Sequence, residues 1–265
     1  MSAVLGIDAA WTAKNASGVA LVEQCNGKWS CRAVSSSYQG FYKLAGDNEP
    51  SDGLPNPKRL IKAAKDILGN GTLDVIAVDM PLSYKEITGR RESDNQISRK
   101  FGGQACSTHT ASIDRPGNIG KKMSDGFANT GYRLRTTEDW IETEKRQLIE
   151  VYPHPALLNL LEAAYRIPYK VSKNRRYWPT ETKEQRKRNL LHEYERIFTA
   201  LKKEIYHIEL SLPSEDEIES FSFTGLKPIE DEIDALVCAW IGIRHIQGKT
   251  KAYGDKDAVI WVPFS

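Results

Sequence analysis

The chain has 265 residues, 40 % of them hydrophobic and 27 % charged, with 37 Lys or Arg against 35 Asp or Glu for a net charge of +2. That length is ample for a buried core, and the mixed, balanced composition excludes a broadly disordered chain. No run approaches the ~18–20 apolar residues of a membrane span. The first residues lack a basic segment and meet Asp8 early, so no signal peptide is expected. Four cysteines, Cys25, Cys31, Cys106 and Cys238, have no C-x-x-C spacing and are too few for a disulfide scaffold. A reduced, cytoplasmic protein is the expectation. A net charge near zero gives no global field for nucleic acid, so any such role must rest on local patches.

Residues 3–9 read as a short apolar strand with an acid near its end. Residues 18–23 are a second strand, and Asn26-Gly27 is a hairpin turn leading into a third at 28–35. The Gly- and Pro-rich stretch 46–57 is a loop. Pro57 then opens a helix with Leu60, Ile61, Ala64, Ile67 and Leu68 on one face. Residues 73–79 form a fourth strand, apolar and ending in Asp79. Residues 81–147 are polar and weakly periodic, and read as a large insertion with short helices at 94–101 and 137–146. A strand at 148–152 is followed by a helix at 154–165. A long amphipathic helix at 182–207 comes next, then a helix at 230–245 with Ile233, Leu236, Val237, Trp240 and Ile241 as its apolar face. The tail 258–262 reads as an edge strand. There is no repeat, low-complexity tract or linker, so 1–265 is read as one α/β domain.

Acids stand at chosen places in this order. Asp8 ends the first strand, Asp79 ends the fourth, and Asp231 and Asp234 lie three apart near the expected start of the last helix, so both can share one face. Converging carboxylates repel one another and need cations or protons. Hard cations such as Mg²⁺ or Mn²⁺ prefer oxygen donors. Two of them, ~3.5–4 Å apart, activate water at a phosphodiester. Strand ends plus a helix start can supply such a site. A macrodipole-favoured helix-start acid is the plainer explanation for Asp231, and explains Asp234 less well. Glu150 is a further candidate acid, and His154 beside it a candidate proton shuttle.

Residues 170–203 hold eleven Lys or Arg against four Glu. Lys14, Arg99, Lys170, Arg175, Arg176, Arg186 and Arg188 are the basic supply for a phosphate backbone. Tyr169, Tyr177 and Trp178 are interleaved with them and offer faces for bases to stack on. Cys106 and His109 are close in sequence, but that does not make a nucleophilic dyad, which must converge in space. No P-loop or G-x-G-x-x-G motif is present.

Four motifs occur in order: Gly6-Ile7-Asp8-Ala9-Ala10-Trp11, Val78-Asp79-Met80-Pro81, Glu150-Val151-Tyr152-Pro153, and Asp231-Glu232-Ile233-Asp234-Ala235-Leu236-Val237. Together they resemble the domain-of-unknown-function 429 family, described as predicted nucleases of the ribonuclease-H-like fold. The last motif is also similar to the acidic helix of Holliday-junction resolvases. The resemblance implies a mixed sheet whose first three strands are antiparallel, with helices on both faces. It implies Asp8, Asp79, Asp231 and Asp234 as ligands of Mg²⁺ or Mn²⁺, Glu150 as part of the family pattern, and DNA or RNA as partner. Two other classes stay open: a phosphotransferase of the sugar-kinase and actin-like class, and a non-catalytic nucleic-acid-binding module.

Overall fold

The computed structural model describes residues 2–138 and 146–264, so the helix expected at 137–146 lies largely outside the described residues. The chain opens with β1 (Ser2–Asp8), β2 (Gly18–Cys25) and β3 (Lys28–Ser35), a meander of antiparallel strands. Asn26 and Gly27 both have positive φ, 52° and 78°, as a two-residue hairpin turn matched to strand twist requires. Then follow α1 (Tyr38–Leu44) and α2 (Pro57–Leu68), the latter capped by the Asn56 side chain with Pro57 in its first turn. The chain continues through β4 (Thr72–Asp79), α3 (Glu92–Phe101), α4 (Ile119–Ala128), β5 (Arg133–Leu134), β6 (Gln147–Val151) and α5 (Pro153–Leu160). It ends with α6 (Asn174–Tyr177), α7 (Lys183–Glu204), β7 (Ile205–Tyr206), α8 (Phe223–Ile246), β8 (Thr250–Gly254) and β9 (Val259–Pro263).

The strands form one mixed sheet in the order β7-β3-β2-β1-β4-β6-β9-β8, with β5 also pairing with β6. β1, β4, β6 and β9 are mutually parallel. Successive residues of a strand face opposite sides, and both sides are apolar. Val4, Val22, Val75 and Ile149 face α5, α7 and α8, through Leu157, Leu190 and Leu236 among others. Leu5, Leu21 and Ile76 face the other way, onto Phe41, Leu60 and Phe127 of α1, α2 and α4. The architecture is therefore mixed α/β with helices on both faces. Among the described residues no helix is long and apolar enough to cross a membrane, and all four cysteines are free.

Three expectations are corrected. The last helix starts at Phe223, not near 230, because Ser222 caps it by accepting from Gly225 N at 2.9 Å and the helix runs through Pro228. Asp231 and Asp234 therefore lie inside α8, and the macrodipole does not explain them. β9 is internal, between β6 and the edge strand β8, which the sequence reading did not foresee. α5 ends at Leu160 rather than 165.

α8 lies unusually close to the sheet. A Cβ on Gly6 would come within 2.3 Å of Ala235 O and Ala239 N, and one on Gly18 within 2.0 Å of Asp231 O. These two glycines let the α8 backbone rest on β1 and β2. Ile233, Leu236, Val237 and Ile241 are fully buried there, each contributing about 1.5–3 kcal/mol. That packing holds the acids of the same helix in place against their mutual repulsion.

Candidate active site

β1 and β4 run parallel in a register that sets Asp8 directly beside Asp79. Each carboxylate ends an apolar strand in the middle of the sheet, at the same end of the parallel pair, and is partly exposed. Asp234 comes from α8 and is completely buried. The Tyr169 hydroxyl donates to Asp234 Oδ1 at 2.5 Å, and Lys170 Nζ donates to Oδ2. Lys170 Nζ also lies 3.6 Å from Glu230 Oε1, and Val171 N donates to Glu230 Oε2 at 2.6 Å. Three consecutive residues are thus pinned to α8 by two acids four positions apart, one turn of helix.

Burial, and then the charge of Asp234, hold the Asp8 pKa well above the usual carboxylate value, while Lys170 acts against them. Burial pushes Asp79 up to about 7, with Lys170 opposing and Asp234 adding. Burial alone would lower the Lys170 pKa, but Asp234 holds it well above the usual lysine value. Lys170 is thus a charged ammonium set among acids that still repel one another. Burial also raises Asp231, to about 6, although Lys227 pairs with it. Lys227 further donates to Glu230 Oε1 at 2.8 Å.

Asp8, Asp79 and Asp234 offer oxygen donors only, which suits a hard divalent cation by chemistry. Among the described residues no three Asp, Glu, His or Cys side chains stand in ligating positions as placed. Lys170 Nζ already donates to Asp234 Oδ2.

Glu150 stands apart from this cluster. It neighbours Val78 across β4 and β6, and is 3 % exposed. It accepts from Leu82 N at 2.7 Å and from both terminal nitrogens of Arg91, at 2.6 and 2.7 Å. Arg91 also pairs with Asp94. Burial raises the Glu150 pKa to about 7 against the pull of Arg91. Glu150 therefore anchors both ends of the 82–91 loop that leaves β4 just after Asp79.

The basic residues divide. Lys170 belongs to the acid cluster and not to an exposed backbone grip. Arg99 and Arg188 are exposed but pair with Glu92 and Glu219. Arg186 is half-buried, 5.9 Å from the Phe223 ring. Lys14, Arg175 and Arg176 are exposed, and among the described residues no acid pairs with them. Tyr169 is fully buried and cannot stack on a base, whereas Tyr177 and Trp178 pack edge to face at 5.6 Å at the half-buried rim. His154 is buried, with Nε2 2.5 Å from Arg166 Nη2. Cys106 is buried and its thiol pKa is pushed up to about 11, which makes it a poor nucleophile.

The roles of Arg91, Lys227, Glu230 and Tyr169 escaped the sequence reading. The spacing of Lys227, Glu230 and Asp231 (i, i+3, i+4) was a usable signal once 223–230 was helical. The Arg91–Glu150 and Lys170–Asp234 pairs span 59 and 64 residues and leave no local signal.

Compared with known proteins, the chain matches a family model described as protein of unknown function (DUF429) over residues 6–258. No curated protein and no solved structure matches.

Proposed function

We propose, for a chain that belongs to the DUF429 family of proteins of unknown function, a metal-dependent nuclease of ribonuclease-H-like architecture that hydrolyses phosphodiester bonds of nucleic acid. The observation that carries this reading is the in-register pair Asp8–Asp79 at the open ends of parallel neighbouring strands, with Asp234 facing them from α8. The strand order β3-β2-β1-β4-β6, its first three strands antiparallel, supports the architecture.

In this reading Asp8, Asp79 and Asp234 would hold Mg²⁺ or Mn²⁺, and Asp231 steadies the neighbouring Lys227. The cation supplies Lewis acidity toward water and the phosphate oxygens. Water adds to phosphorus in line as the P–O bond to the sugar breaks, and the departing sugar oxygen takes up the proton that the water gives up. Lys170 Nζ sets a positive charge beside the reacting phosphate. Arg175 and Arg176 grip the backbone from the rim, beside Tyr177 and Trp178.

Calorimetric titration of Mn²⁺ in the presence of a short oligonucleotide tests the site. Saturable binding is expected for wild type and its loss for Asp79→Asn, together with metal-dependent cleavage of the same oligonucleotide. Binding without cleavage of any DNA or RNA offered would overturn the nuclease. The Lys170–Asp234 pair favours one second reading, a binding module whose acids are balanced internally. Oligonucleotide binding indifferent to metal is the outcome it requires.

The grip is separately testable. Neutralising Arg175 and Arg176 together is expected to weaken oligonucleotide binding at low salt and to reduce the slope of log K against log[salt] by about 1.4–1.8. An unchanged slope removes α6 from the interface.

A further inference from the structure

The two edges of the sheet are finished differently. β7 closes one edge with two residues, and β8 closes the other with five. Phe264 N donates to Lys249 O, and Asp255 N to Ala258 O, so in this antiparallel pair the odd-numbered residues of β8 bond to β9. Thr250, Ala252 and Gly254 therefore turn their N–H and C=O groups outward. Gly254 is already served, since Gln96 accepts from its N at 2.9 Å and donates to its O at 3.1 Å. Among the described residues nothing bonds the outward backbone groups of Thr250 and Ala252.

A groove of about 570 Å³ runs beside these groups, lined by Thr250, Lys251, Ala252, Trp261 and Phe264. Ala252 stands opposite Trp261, which stays half-exposed beside so small a neighbour. The indole is backed by the His245 ring at 4.5 Å, and His245 Nδ1 bonds Thr250 Oγ1 at 2.9 Å. Phe264 is 47 % exposed. The charge along this edge has one sign. Lys249 and Lys251 are exposed, and among the described residues no acid pairs with either. Lys251 Nζ rests 5.6 Å from the Tyr253 ring. The acids of the same hairpin are engaged at its tip, Asp255 with backbone N–H groups and Asp257 with Lys85.

We propose that the β8 edge docks an extended segment of a partner protein, in which acidic and apolar residues alternate, as a further strand of the sheet. The free backbone groups supply the pairing, and alternate side chains supply the choice. A residue facing Ala252 enters the groove against Trp261, so it is apolar. Its neighbours fall on the side of Lys251, so they are acidic. A second copy of this chain fits less well. The antiparallel self-pairings that leave Gln96 in place set Lys251 opposite Lys251 or opposite Lys249. Like charges directly opposed are destabilising, and edge lysines guard strands against such pairing. The lysines that keep two copies apart are the ones an acidic strand meets. β8 stands three places from β4 in the sheet. The docking edge is therefore separate from Asp8–Asp79 and does not rest on the nuclease reading.

The test uses the full chain and a panel of short peptides that alternate Val, Ile or Phe with Asp or Glu. A second panel carries Lys in place of the acids. Fluorescence anisotropy is expected to show saturable binding of acidic members and none of the lysine members. Methylating alternate peptide amides should weaken binding in one register and spare the other, by about threefold to tenfold for each hydrogen bond lost. Amide exchange is expected to slow at Thr250 and Ala252 when peptide binds. Lys251→Glu is expected to weaken the acidic peptides severalfold and to admit the lysine peptides, at unchanged melting temperature. Ala252→Pro removes an outward donor and is expected to abolish binding. The exchange of preference in Lys251→Glu stands even where the proline variant misfolds. No saturable binding across the acidic panel overturns the site. Binding indifferent both to amide methylation and to Lys251→Glu overturns it as well. Dimerisation of the peptide-free chain in sedimentation, lost in Ala252→Pro, also overturns it and assigns the edge to a second copy.

Discussion

Asp8→Asn is expected to lower metal-dependent cleavage by about a thousandfold or more while raising the melting temperature at pH 8. Losing a ligand forfeits several kcal/mol of transition-state stabilisation, and every 1.4 kcal/mol is about tenfold in rate. Stability moves the other way because the site is electrostatically strained. Asp8 has its pKa held well above the usual value by burial and by Asp234, and burial raises Asp79 to about 7. A carboxyl whose folded pKa is raised favours folding fully below its unfolded value, near 4, and loses that contribution as pH rises through the folded value. The metal-free protein should therefore lose stability between about pH 4 and pH 8. Asparagine keeps the shape and removes one of the repelling charges. A rise of about 2–4 °C per kcal/mol recovered is the scale for a chain of this size. Differential scanning at pH 5 and pH 8, with and without Mg²⁺, separates this from a structural role. A variant that is both inactive and less stable at pH 8 contradicts the account.

The acids that matter most to this expectation were legible because each breaks a local pattern. Asp8 and Asp79 end apolar strands abruptly, and both strands form as the sequence implies, in a parallel register that brings the two together. Asp231 and Asp234 were found for their spacing but set on the wrong part of their helix, since Pro228 hides its first turns. Other elements were hidden by composition. α4 carries Gly120 and Gly126, poor helix formers, and both pack against the chain closely, at Pro81 and Pro57. β8 is polar because it is an edge. The basic segment was legible as composition but not as geometry. Lys170 and Arg175 are five residues apart, yet one is drawn into the acid cluster and the other stays exposed. Only tertiary contact with α8 makes that distinction.

Lys170→Met is the sharpest probe of that contact. Among the described residues Lys170 is the cation that pairs directly with Asp234, and its charge also lowers the pKa values of Asp8, Asp79 and Glu230. Removing it leaves buried acids without their compensation, which costs about 3–5 kcal/mol when a buried pair is broken. At pH 8 the melting temperature is expected to fall by about 10 °C. The deficit should shrink toward pH 4, because protonated acids no longer need the lysine. Added Mg²⁺ or Mn²⁺ should also shrink it, because a divalent cation replaces the lost charge and finds Asp234 Oδ2 free. Calorimetry then gives the decisive contrast: the variant is expected to bind Mn²⁺ more tightly than wild type without nucleic acid, yet to cleave more slowly with it. Tighter binding follows from relief of competition at Asp234, and slower cleavage from loss of the positive charge beside the phosphate. If Mn²⁺ bound no more tightly and failed to restore the melting temperature, the ammonium and the metal would not share one place. The acid cluster would then be an internally neutralised element of the fold rather than a cation site.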